Sequence, residues 1–314
     1  MRRPQQEFHL TPDDLTRMFG PSNDITVKSW EKRWLDNIVA NLQLHPHPVP
    51  MRSLLTKVNK HVALVCGAGP SLRKLQKRAH LIPPEWGIVC VDSAVGAVLD
   101  AGLKPTLVVS MDGDQTGLDS YGEAVIQGFT KLSSVAPDTP VVLDLVCCPG
   151  VSELVQTPYW FRAVGDGQHI VTRYANQQCP DVDQMGHGGN VGSVCMILAK
   201  FWCYARHCVL IGFDSAMKEG TTRNGYANGV EMPDHHAYME VCDIYGRPIT
   251  TMANLHNYKW WADHFCHMND DVEWINANDG GFLGVKDPGS NFSHFKYLTL
   301  EQAVDHLRDH GEDD

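Results

Sequence analysis

The sequence predicts an α/β protein: a doubly wound, mostly parallel Rossmann-like sheet with helices on both faces and a helical N-terminal preface. Three observations predict it. Short apolar runs recur at 62–66, 87–92, 106–111, 141–146, 207–211 and 272–276, each ending in glycine or polar residues. Continuous β-branched and aliphatic runs of this length suit parallel strands buried on both faces. Helix-like segments alternate with them, as a doubly wound sheet requires. Two glycine-rich stretches, Gly67-Ala68-Gly69-Pro70-Ser71 and Gly186-His187-Gly188-Gly189-Asn190-Val191-Gly192-Ser193, each precede a helical segment.

The N-terminal segment, 1–58, reads as helical. Thr11-Pro12-Asp13-Asp14 is a helix start, with a capping hydroxyl, a first-turn proline and acids near the positive dipole end. Trp30, Trp34, Ile38, Val39 and Leu42 recur at near-helical spacing. The run from His45 to Pro50 then breaks the helix, and its prolines hold His45 and His47 in an extended chain rather than a metal site.

The main domain is expected at 59–298. The strand Val62–Cys66 stops at the first glycine turn. Pro70 suits a first helical turn, and Ser71 suits a cap or an anion donor for a helix over about 71–80. Glycines allow a tight turn and close approach of the backbone to a ligand. The amides of a helix start favour negative charge, so Gly67, Gly69, Pro70 and Ser71 are candidate nucleotide-phosphate residues. The stretch lacks the third glycine of the dinucleotide fingerprint and the Lys-Ser/Thr of a P-loop. Later strands end in Asp92-Ser93 and Asp112-Gly113-Asp114. Ligands of such sheets bind beyond the carboxyl ends of the strands, so these residues converge on one side. Asp92 and Ser93 are candidates for a ribose contact. Asp112 and Asp114 are candidates for Mg²⁺, as hard oxygen ligands, and Asp112 for a catalytic role. In the second glycine stretch, Gly189, Asn190 and Ser193 are candidates for phosphate or base, the alternative being a helix cap.

Residues 215–250 are polar, long and rich in Gly, Asn and His, and read as a lid. Leu255–Phe265 reads as a helix bearing Trp260 and Trp261; adjacent positions face apart, so at least one belongs to the core. Thr299 caps a last helix, with Gln302 completing a capping box and Glu301 in the first turn. That helix and an acidic tail make up 299–314.

Bulk properties limit the partners. The 314 residues carry a formal charge of −11 and no apolar run long enough to span a bilayer. Such a balance disfavours sequence-blind binding to nucleic acid. The first residues lack a signal-peptide apolar region, and the ten cysteines lack zinc-ligand spacing. A reduced, cytoplasmic location is the simpler expectation.

The order of GAGPSL, VDSAVGAVLDAGLKPTLVVSMD, GHGGNVGSVCMILAKFWCYARHCVLIGFD, DIYGRPITTMANLHNYKWWADHF and VEWINANDGGFLG resembles a family joining two groups. These are the motility-associated flagellin glycosyltransferases and the archaeal 6-hydroxymethylpterin diphosphokinases; the resemblance spans most of residues 35 to 290. The family is similar in fold to bacterial sialyltransferases that use CMP-sugars. The resemblance implies a nucleotide-dependent transferase. One implied reaction moves a sugar from a CMP-sugar to an acceptor hydroxyl, and His256, past the Ile211-Gly212-Phe213-Asp214 strand end, is then the first candidate for general base. His235 and His236 in the lid are its rivals, and His187 is a candidate phosphate contact. The other reaction moves a diphosphate from ATP with Mg²⁺. A non-catalytic nucleotide-binding protein is the third alternative. The acceptor, whether protein, glycan, small molecule or modified base, is not specified by the sequence.

Overall fold

The computed structural model describes residues 29–55, 57–113, 120–163, 169–217, 238–285 and 294–308. In chain order the strands are β1 (Val49–Pro50), β2 (Val62–Cys66), β3 (Gly87–Val91), β4 (Leu107–Ser110), β5 (Val141–Asp144), β6 (Tyr159–Ala163), β7 (Asp183–Met185), β8 (His207–Ile211), β9 (Tyr238–Cys242), β10 (Pro248–Met252), β11 (Glu273–Asn276) and β12 (Phe295–Tyr297). The helices are α1 (29–44), α2 (Leu75–Arg78), α3 (Val95–Asp100), α4 (Ser120–Val135), α5 (Pro149–Ser152), α6 (Ile170–Gln178), α7 (Val191–Phe201), α8 (Ala253–Met268) and α9 (Leu300–Arg308).

Among the described residues, ten strands form one sheet in the order β1-β6-β5-β4-β3-β2-β8-β11-β12, with β7 on the edge of β6. Every pairing in it is parallel. Helices cover both faces, so β2 and β3 are buried at every residue, which is why they are continuously apolar. The chain winds outward from β2 through β3, β4, β5 and β6, then returns to lay β8 on the other side of β2. The topological switch point therefore lies between β2 and β8, beyond Cys66 and Ile211.

The helical preface shares the main core: Ile38, Met51 and Leu54 are fully buried in the same cluster as the β2–β5 residues. Its buried face differs from the expected one. Val39 is exposed, whereas Asn37 and Asn41 are buried. The Asn37 amide donates to the carbonyls of Gly113 and Val146, both at 2.9 Å. Asn41 donates to Leu145 (3.0 Å) and Cys147 (2.8 Å) and accepts from Ser152 Oγ (2.7 Å). Buried amides at i and i+4 thus satisfy four strand-end carbonyls, which outweighs burial of one valine.

One other expectation is corrected. The segment after the first glycine turn is not one helix. A 3₁₀ turn over Pro70–Lys74 leads into the single turn of α2 and a second 3₁₀ turn over Ala79–Leu81. Gly69 takes the N-cap position without a side-chain cap, so Ser71 does not cap. Of the expected lid at 215–250, the described part includes an antiparallel hairpin, β9–β10, closed by a turn with Gly246 at φ +77°; residues 218–237 lie outside the described residues. The Thr11 helix start, Asp114, His235, His236 and the acidic tail at 309–314 lie outside the described residues. The capping box of α9 is present: Thr299 N–H donates to Gln302 Oε1 (2.9 Å), and Gln302 N–H to Thr299 Oγ1 (3.2 Å).

Candidate functional site at the switch point

The backbones of the β2 and β8 strand ends cross at the switch point. Gly67 N–H donates to Ile211 O and Gly69 N–H to Gly212 O, both at 2.8 Å. Gly212 has φ +76°, and its missing Cβ lets the two chains meet. The glycines thus admit a second backbone, and their N–H groups are engaged within the chain. A Cβ on Gly69 would meet the Asp214 carboxylate at 2.2 Å, so the first glycine turn packs directly on the β8 strand end.

A buried polar network lies under this turn. Ser71 Oγ accepts the Gly212 N–H (3.0 Å) and lies in donating range of Asp214 Oδ2 (2.7 Å) and Asn278 Oδ1 (2.8 Å). Ser71 N–H also donates to Asp214 Oδ2 (3.1 Å), and Phe213 N–H to Asn278 Oδ1 (3.0 Å). Burial pushes the Asp214 carboxyl up to about 6, against the hydrogen bonds from Ser71 that pull it down. Asn278 Nδ2 is buried and has no acceptor among the described residues. Asp214 and Asn278 were not singled out in the sequence, although the acid closing Ile211-Gly212-Phe213-Asp214 was a usable signal.

The second glycine stretch lies beside the β8 end, where a Cβ on Gly192 would stand 2.9 Å from the Phe213 ring. Asn190 caps α7 by accepting the Ser193 N–H at 2.8 Å, and Ser193 Oγ accepts the Gly188 N–H at 2.9 Å. Asn190 and Ser193 thus adopt the capping arrangement. His187 Nδ1 accepts the Gly189 N–H at 2.9 Å, and burial lowers this imidazole to about 4. Helix α8 lies over this turn. A Cβ at Gly188 would stand 2.4 Å from the Trp261 ring, and one at Gly189 3.2 Å from Tyr258. Trp261 is therefore core, whereas Trp260 is half-buried and stacks on His264.

Asp112 is half-buried just beyond the end of β4, near enough for its charge to act on Tyr258. Burial first, and then the Asp112 charge, raises the Tyr258 phenol. His256 stands on a different wall, its ring 5.4 Å from that of Phe282, whose N–H donates to Asp214 O at 2.6 Å. The structure thus brings Asp112 to Tyr258, and His256 to the Asp214 side. Asp92 is 1% exposed, and its carboxylate accepts from Ser93 N–H (2.7 Å) and Ser110 Oγ (2.8 Å), tying the ends of β3 and β4 together. Among the described residues no group of three or more His, Cys, Asp or Glu is arranged to hold a metal ion.

Charge gathers on the β11 side of the crevice. Lys74 and Arg78 pair with Asp279, and Arg78 also with Glu301. Arg247 holds Asp243 (2.6 Å) and donates to the Asp279 carbonyl (3.1 Å). Burial pushes the Asp243 carboxyl up, but the Arg247 bonds outweigh it and hold it below the usual range. Burial lowers the Lys74 ammonium, and the Arg78 and Arg247 charges add to that, with Asp214 opposing. Sequence reasoning missed these cations because no motif joins residues 74, 78 and 247.

A family model described as 6-hydroxymethylpterin diphosphokinase MptE-like matches residues 32–220, more than half of the chain. The solved structure of MAf glycosyltransferase from Magnetospirillum magneticum AMB-1 superposes with a TM-score of 0.55 at 12% identity. The match covers 81% of this chain and 37% of that one, so the chain spans well under half of that protein's length. At this identity the likeness shows a shared fold. No curated protein matches the chain.

Proposed function

The chain belongs to the MptE-like family, and from that premise we propose that it is a nucleotide-dependent transferase acting on an acceptor hydroxyl. The observation that carries the reading is the Gly67–Gly212 crossing. It joins the β2 and β8 strand ends at the switch point of a parallel sheet, the place where such folds take their ligands. Around it stand groups of the right chemistry, with Asp112 and Tyr258 on one wall and His256 on another.

The first reading is glycosyl transfer from a nucleotide sugar, with CMP as the nucleotide. His256 takes the proton of the acceptor hydroxyl as general base, and the Tyr258 hydroxyl donates to the leaving phosphate. His235 and His236 remain rival bases. Gly67, Gly69, Pro70 and Ser71 shape the phosphate end, with Gly189, Asn190 and Ser193 beside it. Asp92 and Ser93 support the ribose end. The fold shared with MAf glycosyltransferase supports this reading.

The second reading is diphosphate transfer from ATP, favoured by the family description and by Asp112 at the crevice. Asp112 and Asp114 are its proposed magnesium ligands. The described residues alone do not complete a metal site, so no step is drawn through that ion.

All ten cysteines are free thiols, which supports a reducing compartment, and we place the protein in the cytoplasm. Among the described residues no helix is long and apolar enough to cross a membrane.

Product analysis tests the function. The first reading predicts CMP released from a CMP-sugar, reduced at least about 100-fold by His256→Ala, the usual scale of a general base. The second predicts AMP from ATP when 6-hydroxymethylpterin is supplied. Nucleotide binding without release of either would leave a binding protein and contradict the transferase.

A further inference from the structure

We infer that Asp214 holds a proton at the switch point: it meets Ser71 as a neutral carboxylic acid, and a nucleotide phosphate bound there draws one proton from solvent onto this carboxyl. The inference deepens the nucleotide-donor reading, and its binding half rests on that reading.

Ser71 Oγ has two close oxygen neighbours, Asp214 Oδ2 at 2.7 Å and Asn278 Oδ1 at 2.8 Å, and it accepts the Gly212 N–H at 3.0 Å. Turning the Asn278 amide round would set its NH₂ group against the Phe213 N–H, which Oδ1 accepts at 3.0 Å. A hydroxyl carries one hydrogen, and an amide oxygen carries none. Ser71 therefore donates to only one of its oxygen neighbours, and the second close contact needs a hydrogen from Asp214. The complete set has Asp214 O–H donating to Ser71 Oγ and Ser71 O–H donating to Asn278 Oδ1. Gly212 N–H takes the remaining Ser71 lone pair. Ser71 N–H donates to Asp214 Oδ2 at 3.1 Å in either state. With Asp214 ionised, Ser71 turns to the carboxylate and Asn278 Oδ1 faces a lone pair.

The charges around Asp214 leave room for the neutral form. Asp214 is 7% exposed, and burial raises its carboxyl to about 6 against the Ser71 hydrogen bonds and Lys74. Lys74, on the adjoining 3₁₀ turn, is paired with Asp279 of the turn after β11. Arg247 of the hairpin is held by Asp243. From α8, His256 and Lys259 lie against the Phe282 ring, and Asp263 holds Lys259 at 2.9 Å. Each of the three basic side chains thus has a carboxylate other than Asp214.

The position couples this proton to a ligand. Asp214 Oδ2 lies directly under the first glycine turn, 2.2 Å from where a Cβ on Gly69 would stand. An ionised carboxylate so placed repels a phosphate at that turn, and a neutral acid does not. A bound phosphate therefore favours the neutral form, and by linkage its binding takes up a proton.

Melting curves against pH test the proton without ligand. A Ser71 hydroxyl that accepts from Asp214 favours the neutral acid, so Ser71→Ala moves the carboxyl's titration to lower pH. A carboxyl raised on folding loses its contribution as pH rises, so the wild type is expected to lose a few degrees relative to Ser71→Ala as pH rises through about 6. A flat difference, or a gain, shows that Ser71 donates to the carboxylate and overturns the assignment. Calorimetric titration of the full chain with CMP and with ATP, at about pH 6.5 in two buffers of different ionisation heat, tests the coupling. The wild type is expected to take up about half a proton more than Asp214→Asn. Its affinity is expected to fall about tenfold relative to that variant between about pH 5.5 and pH 7.5. The ligand's own titration is common to both proteins and cancels. Should Asp214→Asn fail to fold, the same fall is expected to begin at lower pH in Ser71→Ala than in the wild type. Nucleotide binding with equal proton uptake in wild type and Asp214→Asn overturns the coupling and leaves the donor reading standing. If the melting curves have the expected sign and no nucleotide binds, the donor reading fails and the neutral acid stands.

Discussion

A Cβ on Gly212 would stand 2.2 Å from the carbonyl oxygen of Gly67, and one on Gly67 would stand 2.4 Å from the carbonyl oxygen of Gly212. Each glycine is thus required by the other's backbone. Gly102 provides a control, because its φ of +78° nearly equals the +76° of Gly212, yet nothing lies within 4 Å of its Cβ position. Gly102→Ala is expected to cost about 1 kcal/mol, the left-handed penalty alone. Gly212→Ala is expected to cost about 3 kcal/mol or more, since displacement of the β2 turn adds to it. Denaturant unfolding of the two variants measures the difference.

The preface helix is expected to be an integral part of the sheet's carboxyl end. Asn41→Ala would leave the buried Leu145 and Cys147 carbonyls without this donor and Ser152 Oγ with only the Pro149 carbonyl. A loss of about 2–4 kcal/mol is expected, several times that of an exposed substitution on the same helix such as Lys32→Ala. Urea unfolding checks this. A cost under about 0.5 kcal/mol would show that the helix is peripheral.

Buried Asp144 and half-buried His187 set opposite pH dependences. Burial raises the Asp144 carboxyl at the end of β5 to about 7, and one of its oxygens has no partner among the described residues. A carboxyl raised on folding contributes stability that is fully present below about pH 4 and is lost as pH rises through 7. Relative to Asp144→Asn, the wild type should therefore lose on the order of 1 kcal/mol per pH unit between pH 4 and pH 7. His187 is lowered to about 4, so its contribution is present above about pH 6.5 and is lost as pH falls towards 4. Relative to His187→Gln, the wild type should weaken over that acid range. Melting curves against pH for the three proteins separate the two slopes. Equal slopes would contradict the burial of both groups.

The capping box of α9 carries a smaller prediction. Thr299→Ala removes the acceptor for Gln302 N–H and should cost about 1 kcal/mol. Thermal unfolding reads this as a few degrees. No change would mean that water replaces the cap at no cost.

The sheet was legible wherever burial on both faces imposed a continuous apolar run. Strands β2, β3, β4, β5, β8 and β11 all lie in such runs. Strands that escaped notice lack that constraint. Tyr159–Ala163 ends in half-buried Arg162 and Ala163, and Tyr238–Cys242 has no buried residue at all. Thr299 and Gln302 were readable because a capping box is local. The contacts of Ser71 with Asp214 and Asn278, and of Lys74 and Arg78 with Asp279, were not, because these partners lie more than a hundred residues apart. The glycines were readable as a close approach, but not as an approach of one strand end to another. That distinction depends on β8 returning beside β2, which no local pattern encodes.

A nucleotide is expected at the β2–β8 switch point beside Gly67 and Gly212. The most direct measurement is the melting temperature of the full chain with CMP, a CMP-sugar, UDP, GDP, AMP and ATP, each with and without Mg²⁺. A ligand bound only by the folded state at about 100 times its Kd adds about 2.7 kcal/mol and raises the melting temperature by several degrees. The account predicts that rise with CMP or the CMP-sugar without metal. A rise with ATP only in the presence of Mg²⁺ would replace glycosyl transfer with the diphosphokinase reading. No rise with any nucleotide at saturating concentration would contradict the nucleotide site itself.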